Sequence, residues 1–177
     1  MLKKLLITDI EPGAIENLRN IRTAYLFVKV NNGMTLKAFV PDWYDLGFEG
    51  MSLEEIKSSL IGKEANVELH LTDLNLNIKK KSLSPLNISQ LNNNAEIAIV
   101  GEVINLRGPF IHRFSQDGKL VNYEYFCVDL DCGVAIIEIS MSKSEVRKSN
   151  LQIGDYIEAD GRLDIIVDKI LDKEKQK

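Results

Sequence analysis

Cationic and aromatic side chains alternate in one polar stretch of the sequence. Aromatic rings stack on nucleic-acid bases and cations follow phosphates, so this composition is typical of surfaces that bind single-stranded nucleic acid. The candidate binding residues are Arg107, Phe110, His112, Arg113, Phe114, Lys119, Tyr123 and Tyr125. In the alternative interpretation the two phenylalanines close one end of a domain and the arginines are solvated rim charges. Nearby carboxylates such as Asp129 would weaken a phosphate contact.

Patterns that signal catalysis or metal binding are scarce. The sequence contains no glycine-rich phosphate loop, no HExxH and no GxSxG. Cys127 and Cys132 are spaced neither as a zinc pair nor as a disulfide framework, so we expect reduced structural thiols. Asp129 and Asp131 alternate on one strand and could offer oxygen ligands, but strand-end acids more often serve solubility. We expect no enzyme activity, no cofactor and no metal.

The overall charge is acidic. The formal net charge is −4 with a pI of about 5.3, and the excess of acidic side chains lies in the second half of the chain. Any surface that binds a polyanion must therefore be a local patch. Long apolar runs are absent, and residues 1–7 look like the start of a strand instead of a secretory signal. We expect a cytoplasmic protein with no membrane segment.

The elements that must position these side chains form an internal repeat. Residues 25–33 resemble 125–133, at an offset of 100, and each segment is a strand that ends in a glycine turn. Residues 15–19 resemble 103–107, at an offset of 88, and residues 60–63 resemble 152–155, at an offset of 92. Capping-box patterns begin a helix after Ser52 and after Ser142. The same order of landmarks predicts two related tandem domains.

The repeat sets the predicted domain boundaries. An N-terminal barrel covers 1–81, a linker with Pro85 and an asparagine run covers 82–94, a C-terminal barrel covers 95–168, and a charged tail covers 169–177. The changing offsets predict twelve additional residues in the second unit, within 108–122. They also predict eight additional residues in the first unit, around 41–50.

The order strand, strand, strand, helix, strand is that of the OB-fold. We therefore predict an all-β protein with short helices, built as two tandem OB-fold-like five-stranded barrels. The usual ligand surface of this fold is the loop between strands one and two with the face of strands two and three. Tyr123 and Tyr125 would lie on that face, opposite Phe126, Val128 and Leu130 in the core. At an offset of 100 the inward-facing residues of the two third strands do not correspond, which suggests that the alignment is shifted by one residue there.

The second unit resembles the single-stranded-DNA-binding OB domains of the replication protein A family. The motifs that carry the resemblance are residues 99–109, 114–118, 126–133 and 153–161, and together they cover about 95–168. Where such domains place an aromatic residue after strand three, this chain has Met141 and Ser142, and the family's zinc-ribbon insertion is absent. The resemblance implies binding of single-stranded DNA or RNA. The alternative is a protein-interaction module, an adaptor within a larger complex.

Overall fold

The computed structural model describes residues 3–13, 15–17, 20–21, 23–41, 48, 50–79, 85–91, 95–116 and 119–171. Its elements in chain order are β1 (Lys3–Pro12), β2 (Ile15–Asn17), β3 (Asn20–Ile21), β4 (Ala24–Lys29), β5 (Thr35–Val40), α1 (Leu53–Leu60), β6 (Glu64–Lys79), β7 (Asn87–Gln90), β8 (Glu96–Gln116), β9 (Lys119–Asp131), β10 (Ile136–Ser142), α2 (Lys143–Ser149) and β11 (Tyr156–Leu171). The predicted all-β class with short helices is confirmed.

Alternating burial along the strands produces the core. In β4 every second residue is buried, with Leu26 and Val28 inside and Tyr25 and Phe27 on the outer face. Because side chains of a strand alternate between its two faces, the period-two pattern in the sequence fixes which set points inward. No helix among the described residues is long and apolar enough to cross a membrane.

Nine of the strands pair into one sheet that closes on itself twice. One closed circuit runs β1, β4, β5, β11, β6 and back to β1. The other runs β8, β9, β10, β6, β11 and back to β8, with β7 paired to the outer side of β8. Each circuit therefore has five strands, as expected for the OB-fold order. A separate small sheet contains β2 and β3.

The two circuits share β6 and β11. These strands pair antiparallel along their whole length, from Tyr156 opposite Lys79 to Leu171 opposite Glu64, with Leu163 opposite Leu71 near the centre. β11 pairs with β5 of the first unit at Asp164, in its second half, and β6 pairs with β10 of the second unit at His70 and Leu71, near its centre. Each unit is thus completed by the last strand of the other. Within the stretch predicted as a linker, residues 87–90 form β7, and β11 extends three residues into the predicted tail, to Leu171.

Equivalent hydrogen bonds demonstrate the internal repeat. The amide of Gly62 donates to the carbonyl of Ile7 at 2.9 Å, and the amide of Gly154 donates to the carbonyl of Val103 at 2.8 Å. Both glycines have positive φ, 82° and 89°, a conformation that favours glycine. Both helices begin with a complete capping box, at Ser52 and Ser142. The predicted offset of 92 is correct for the two glycines.

The predicted offsets of the first and second strands are wrong. The hydrogen bonds and the matching bulges make Ile7 equivalent to Val103 and Val28 equivalent to Leu130, so the offsets are 96 and 102. The second unit therefore has six additional residues between these strands, where twelve were predicted. The short landmark at 15–19 misled the alignment because Ile15–Asn17 belongs to the separate small sheet. On the third strands the offset is 101, which explains why Ile137, Ile139 and Met141 face inward.

Candidate nucleic-acid interface

The outer part of the hairpin formed by β8 and β9 presents the candidate residues. From Phe110 opposite Tyr125 to Gln116 opposite Lys119, these strands pair with each other, and β10 follows β9 outward only as far as Tyr125. A register shift between Arg107 and Phe110 separates this part from the closed circuit. Gly108 lies at the shift with φ of 127°, where a Cβ atom would meet the carbonyl oxygen of Tyr125 at 3.0 Å.

Four of the predicted residues share one face of this hairpin. Phe110 is paired with Tyr125 and His112 with Tyr123, so alternation places all four on the same side. The rings of Phe110 and Tyr125 are 5.6 Å apart, and those of Tyr123 and Tyr125 are 6.1 Å apart and nearly parallel at 13°. Phe110 is 40% exposed and Tyr123 is 45% exposed. The three rings form a continuous row, which we call the aromatic row.

Arg113 lies on the opposite face. It is paired with Asn122 and is therefore out of phase with His112 and Tyr123. Ile111 and Leu120 share this opposite face and are 59% and 72% exposed. A ligand that covers the aromatic row therefore does not contact Arg113 on the same face. The side chains of Phe114 and Lys119 lie outside the described part of the chain.

Arg107 forms ion pairs with two carboxylates of the second unit. Its guanidinium donates to Asp129 at 3.0 Å and also to Glu138. Partial burial by itself would lower the pKa of Arg107, but the two carboxylates outweigh it and raise the pKa above its usual value. Asp129 is buried and also accepts a hydrogen bond from Asn105 at 2.9 Å. The charge of Arg107 therefore stabilises the strand face and is offset there, and it adds little to an anion site.

Cations of α2 lie beside the aromatic row, and none of them is among the residues selected from the sequence. Lys143, Arg147 and Lys148 line an open groove of about 520 Å³ together with Asn122 and Tyr123. Lys143 forms an ion pair with Glu124 of β9. The capping box had predicted the helix, and the spacing of Lys143 and Arg147 by four residues places them on one helix face. No sequence signal links that face to Tyr123, because the contact is tertiary.

Charge differs on the two sides of Tyr123. A second groove, of about 390 Å³, borders Tyr123 on another side and is lined by His70, Glu138 and Glu145 among others. His70 lies within 3.3 Å of Glu138 through its Nδ1 atom. Phosphates would be repelled there and attracted to the α2 side. The geometry therefore allows one path for an anionic backbone past the aromatic row.

Neither cysteine has the character of a reactive thiol. Burial raises the pKa of the Cys127 thiol, and Glu138 raises it further. Cys132 is fully buried, and burial raises its pKa to about 12. Within the described ranges no group of three His, Cys, Asp or Glu side chains could hold a metal ion.

Comparisons with known proteins assign no family to the chain. No family model matches the sequence, and no curated protein matches it. A solved structure of the cytoplasmic molybdate-binding protein ModG, with molybdate bound, is similar with a TM-score of 0.47 and 16% identity. The match covers 93% of this chain and 94% of that one. At that similarity it transfers neither family nor ligand, and the resemblance to the replication protein A family stays a prediction.

Proposed function

We propose that this chain is a non-enzymatic binding protein that holds single-stranded DNA or RNA against the aromatic row. The observation that carries the proposal is the stacked series Phe110, Tyr125 and Tyr123, which ends beside the cations of α2. Bases stack on the exposed rings, and the phosphates between them follow Arg147 and Lys148, since Glu124 offsets the charge of Lys143. The binding is tolerant of sequence because every base has a π-face.

The magnitudes favour the rings as the main source of affinity. Each base stacked on a ring contributes about 1–3 kcal/mol. The cations contribute a part of the affinity that falls as the salt concentration rises. For a single strand, the slope of log K against log salt concentration is about −0.7 for each phosphate neutralised. Since Arg107 is offset by Asp129 and Glu138, the salt dependence is expected to come from α2. Nucleic-acid binding would thus be moderate in affinity and strongly weakened by salt.

The test is fluorescence anisotropy of a labelled oligo-dT at low and at moderate salt. Tyr123→Ala is expected to weaken binding by about 5- to 150-fold, the equivalent of one lost stack. Leu120→Ala is the matched control, because this residue is exposed on the opposite face of the same hairpin. Arg147→Ala with Lys148→Ala is expected to flatten the salt dependence. Absence of binding at low salt, or equal losses in Tyr123→Ala and Leu120→Ala, would contradict the proposal.

A protein-interaction module is the second candidate, and the opposite face of the hairpin favours it. Ile111 and Leu120 expose apolar surface there. Exposed apolar side chains on a projecting hairpin suit a protein partner. An interface of this kind would lose little affinity with salt, whereas nucleic-acid binding would lose much. Retained partner binding by Tyr123→Ala and its loss in Leu120→Ala would support the adaptor interpretation.

A further inference from the structure

A third groove lies where the two units meet and shares no residue with the aromatic row. It has a volume of about 530 Å³ and is lined by Tyr25, Asn75, Leu91, Glu96, Asp160, Gly161 and Arg162. These residues come from β4, β6, β8, β11 and the segment after β7, so both units contribute. The volume is within the range of about 300–1,000 Å³ typical of small-molecule pockets.

A bulge in β6 lies beside the groove, opposite Gly161 of β11. The register of β11 against β6 shifts between Asp160, opposite Asn75, and Arg162, opposite Thr72. Gly161 lies at the shift and contributes no side chain. Bulges redirect side chains and are frequent beside functional sites. Here β11 continues in regular register with β8, so Asp160 and Arg162 lie on one face of β11 with only Gly161 between them.

One wall of the groove is flat and held in place. The ring of Tyr25 contacts the ring of Phe39 at 5.5 Å between centroids, and the ammonium group of Lys37 lies 4.6 Å from the centre of the Tyr25 ring. Leu91 forms an apolar part of the lining and is 55% exposed. These neighbours fix the orientation of the ring, which lowers the entropic cost of binding a flat ligand against the face of Tyr25 that Lys37 does not cover.

The polar groups of the groove are mainly hydrogen-bond acceptors. The guanidinium of Arg162 donates to Asp164 at 2.6 and 3.0 Å and lies 4.6 Å from the centre of the Phe39 ring, so Asp164 offsets its charge. Asp160 accepts one hydrogen bond from Asn75 at 2.8 Å. A carboxylate has about four acceptor positions, so Asp160 can accept from a ligand as well. Glu96 adds a second carboxylate, and a phosphate group would be repelled.

From this combination we infer that the groove binds a free purine base or nucleoside of the guanine type. A guanine ring is flat enough to lie against Tyr25 and Leu91. Its N1–H and 2-amino groups are adjacent donors that match the two oxygens of one carboxylate, and Asp160 supplies them. The site is independent of the proposed oligonucleotide binding, because the hairpin is not part of it.

The test is calorimetric titration of the full chain with guanosine, inosine and guanosine monophosphate. Guanosine is expected to bind more tightly than inosine, which lacks the 2-amino group, and more tightly than the monophosphate, which meets two carboxylates. Asp160→Asn preserves the size of the side chain and is expected to weaken guanosine binding at least about tenfold, as for loss of a charged acceptor. Leu91→Ser is a second variant at an exposed position that leaves the core untouched.

Controls separate this site from the hairpin. Tyr123→Ala is expected to bind guanosine as the unmodified chain does, whatever its effect on oligo-dT. Guanosine binding that fails in the unmodified chain overturns the inference. It is also overturned if Asp160→Asn and Leu91→Ser, folded by circular dichroism, bind guanosine as tightly as the unmodified chain.

Discussion

Exchange of the last strands predicts that a residue near the C-terminus stabilises the N-terminal unit. Ile165 lies in the half of β11 that adjoins β5, next to Asp164 opposite Phe39, and it is fully buried. Replacing a buried isoleucine with alanine leaves a cavity and costs about 2–5 kcal/mol. Ile165→Ala is therefore expected to destabilise strands that precede it by more than a hundred residues.

The adjacent residue provides a matched control. Ile166 is 49% exposed and faces the other side of the same strand. Because it leaves no buried cavity, Ile166→Ala is expected to change the free energy of unfolding by no more than about 0.5 kcal/mol. For a chain of this size, roughly 2–4 °C of Tm corresponds to each kcal/mol, so Ile165→Ala should lower Tm by about 4–20 °C.

Hydrogen exchange read by mass spectrometry locates the effect. In Ile165→Ala the amides of β4 and β5 should lose protection, although neither strand is near position 165 in sequence. Urea unfolding measures the accompanying change in free energy. If protection falls in β9 and β10 and remains unchanged in β4 and β5, the shared-strand interpretation is refuted.

Three further predictions concern the second unit. Arg107→Ala removes the partner of buried Asp129 and should cost about 1–3 kcal/mol in urea unfolding at neutral pH, the usual loss for a hydrogen bond to a charged group; unchanged stability would show that the pair is dispensable. Gly101→Ala should destabilise the chain measurably, because the added Cβ would lie 2.8 Å from that of Leu130; a stable variant would mean that the strands separate freely. Cys132 has a folded pKa raised to about 12, so its contribution to stability is complete below pH 9 and is lost as pH rises toward 12. Stability against pH should therefore fall more steeply in the unmodified chain than in Cys132→Ala, and parallel curves would contradict this.

The local features of the fold were predictable because short-range physics determines them. Alternation of apolar residues identified β4 and β9, and the serine and glutamate of each capping box identified the start of α1 and α2. The turns at Gly62 and Gly154 were found from the resemblance of residues 60–63 to 152–155, and both glycines have the positive φ that favours glycine. Offsets between distant strands were less secure, since a resemblance of five residues at 15–19 was used as the landmark of the first strand, whereas the structure makes Ile7 the equivalent of Val103.

The candidate site was predicted in part. Phe110, Tyr123 and Tyr125 were selected by composition, and their common face follows from period-two alternation once the hairpin register is known. That register placed Arg113 on the other face, and the bulge after Arg107 was not visible in the sequence. The cations of α2 were missed because helix and hairpin are separated by the whole of β10.

The sequence by itself determined the all-β class, the two short helices, the internal repeat and the aromatic content of the hairpin. These depend on side-chain periodicity, helix capping and the conformational freedom of glycine, which act over a few residues. Tertiary structure alone decided that β6 and β11 complete each other's unit, that Arg107 is offset by Asp129 and Glu138, and that Tyr123 lies beside Lys143. Each of these depends on pairing between strands far apart in the chain, and a long-range register is set by the packing of the entire core.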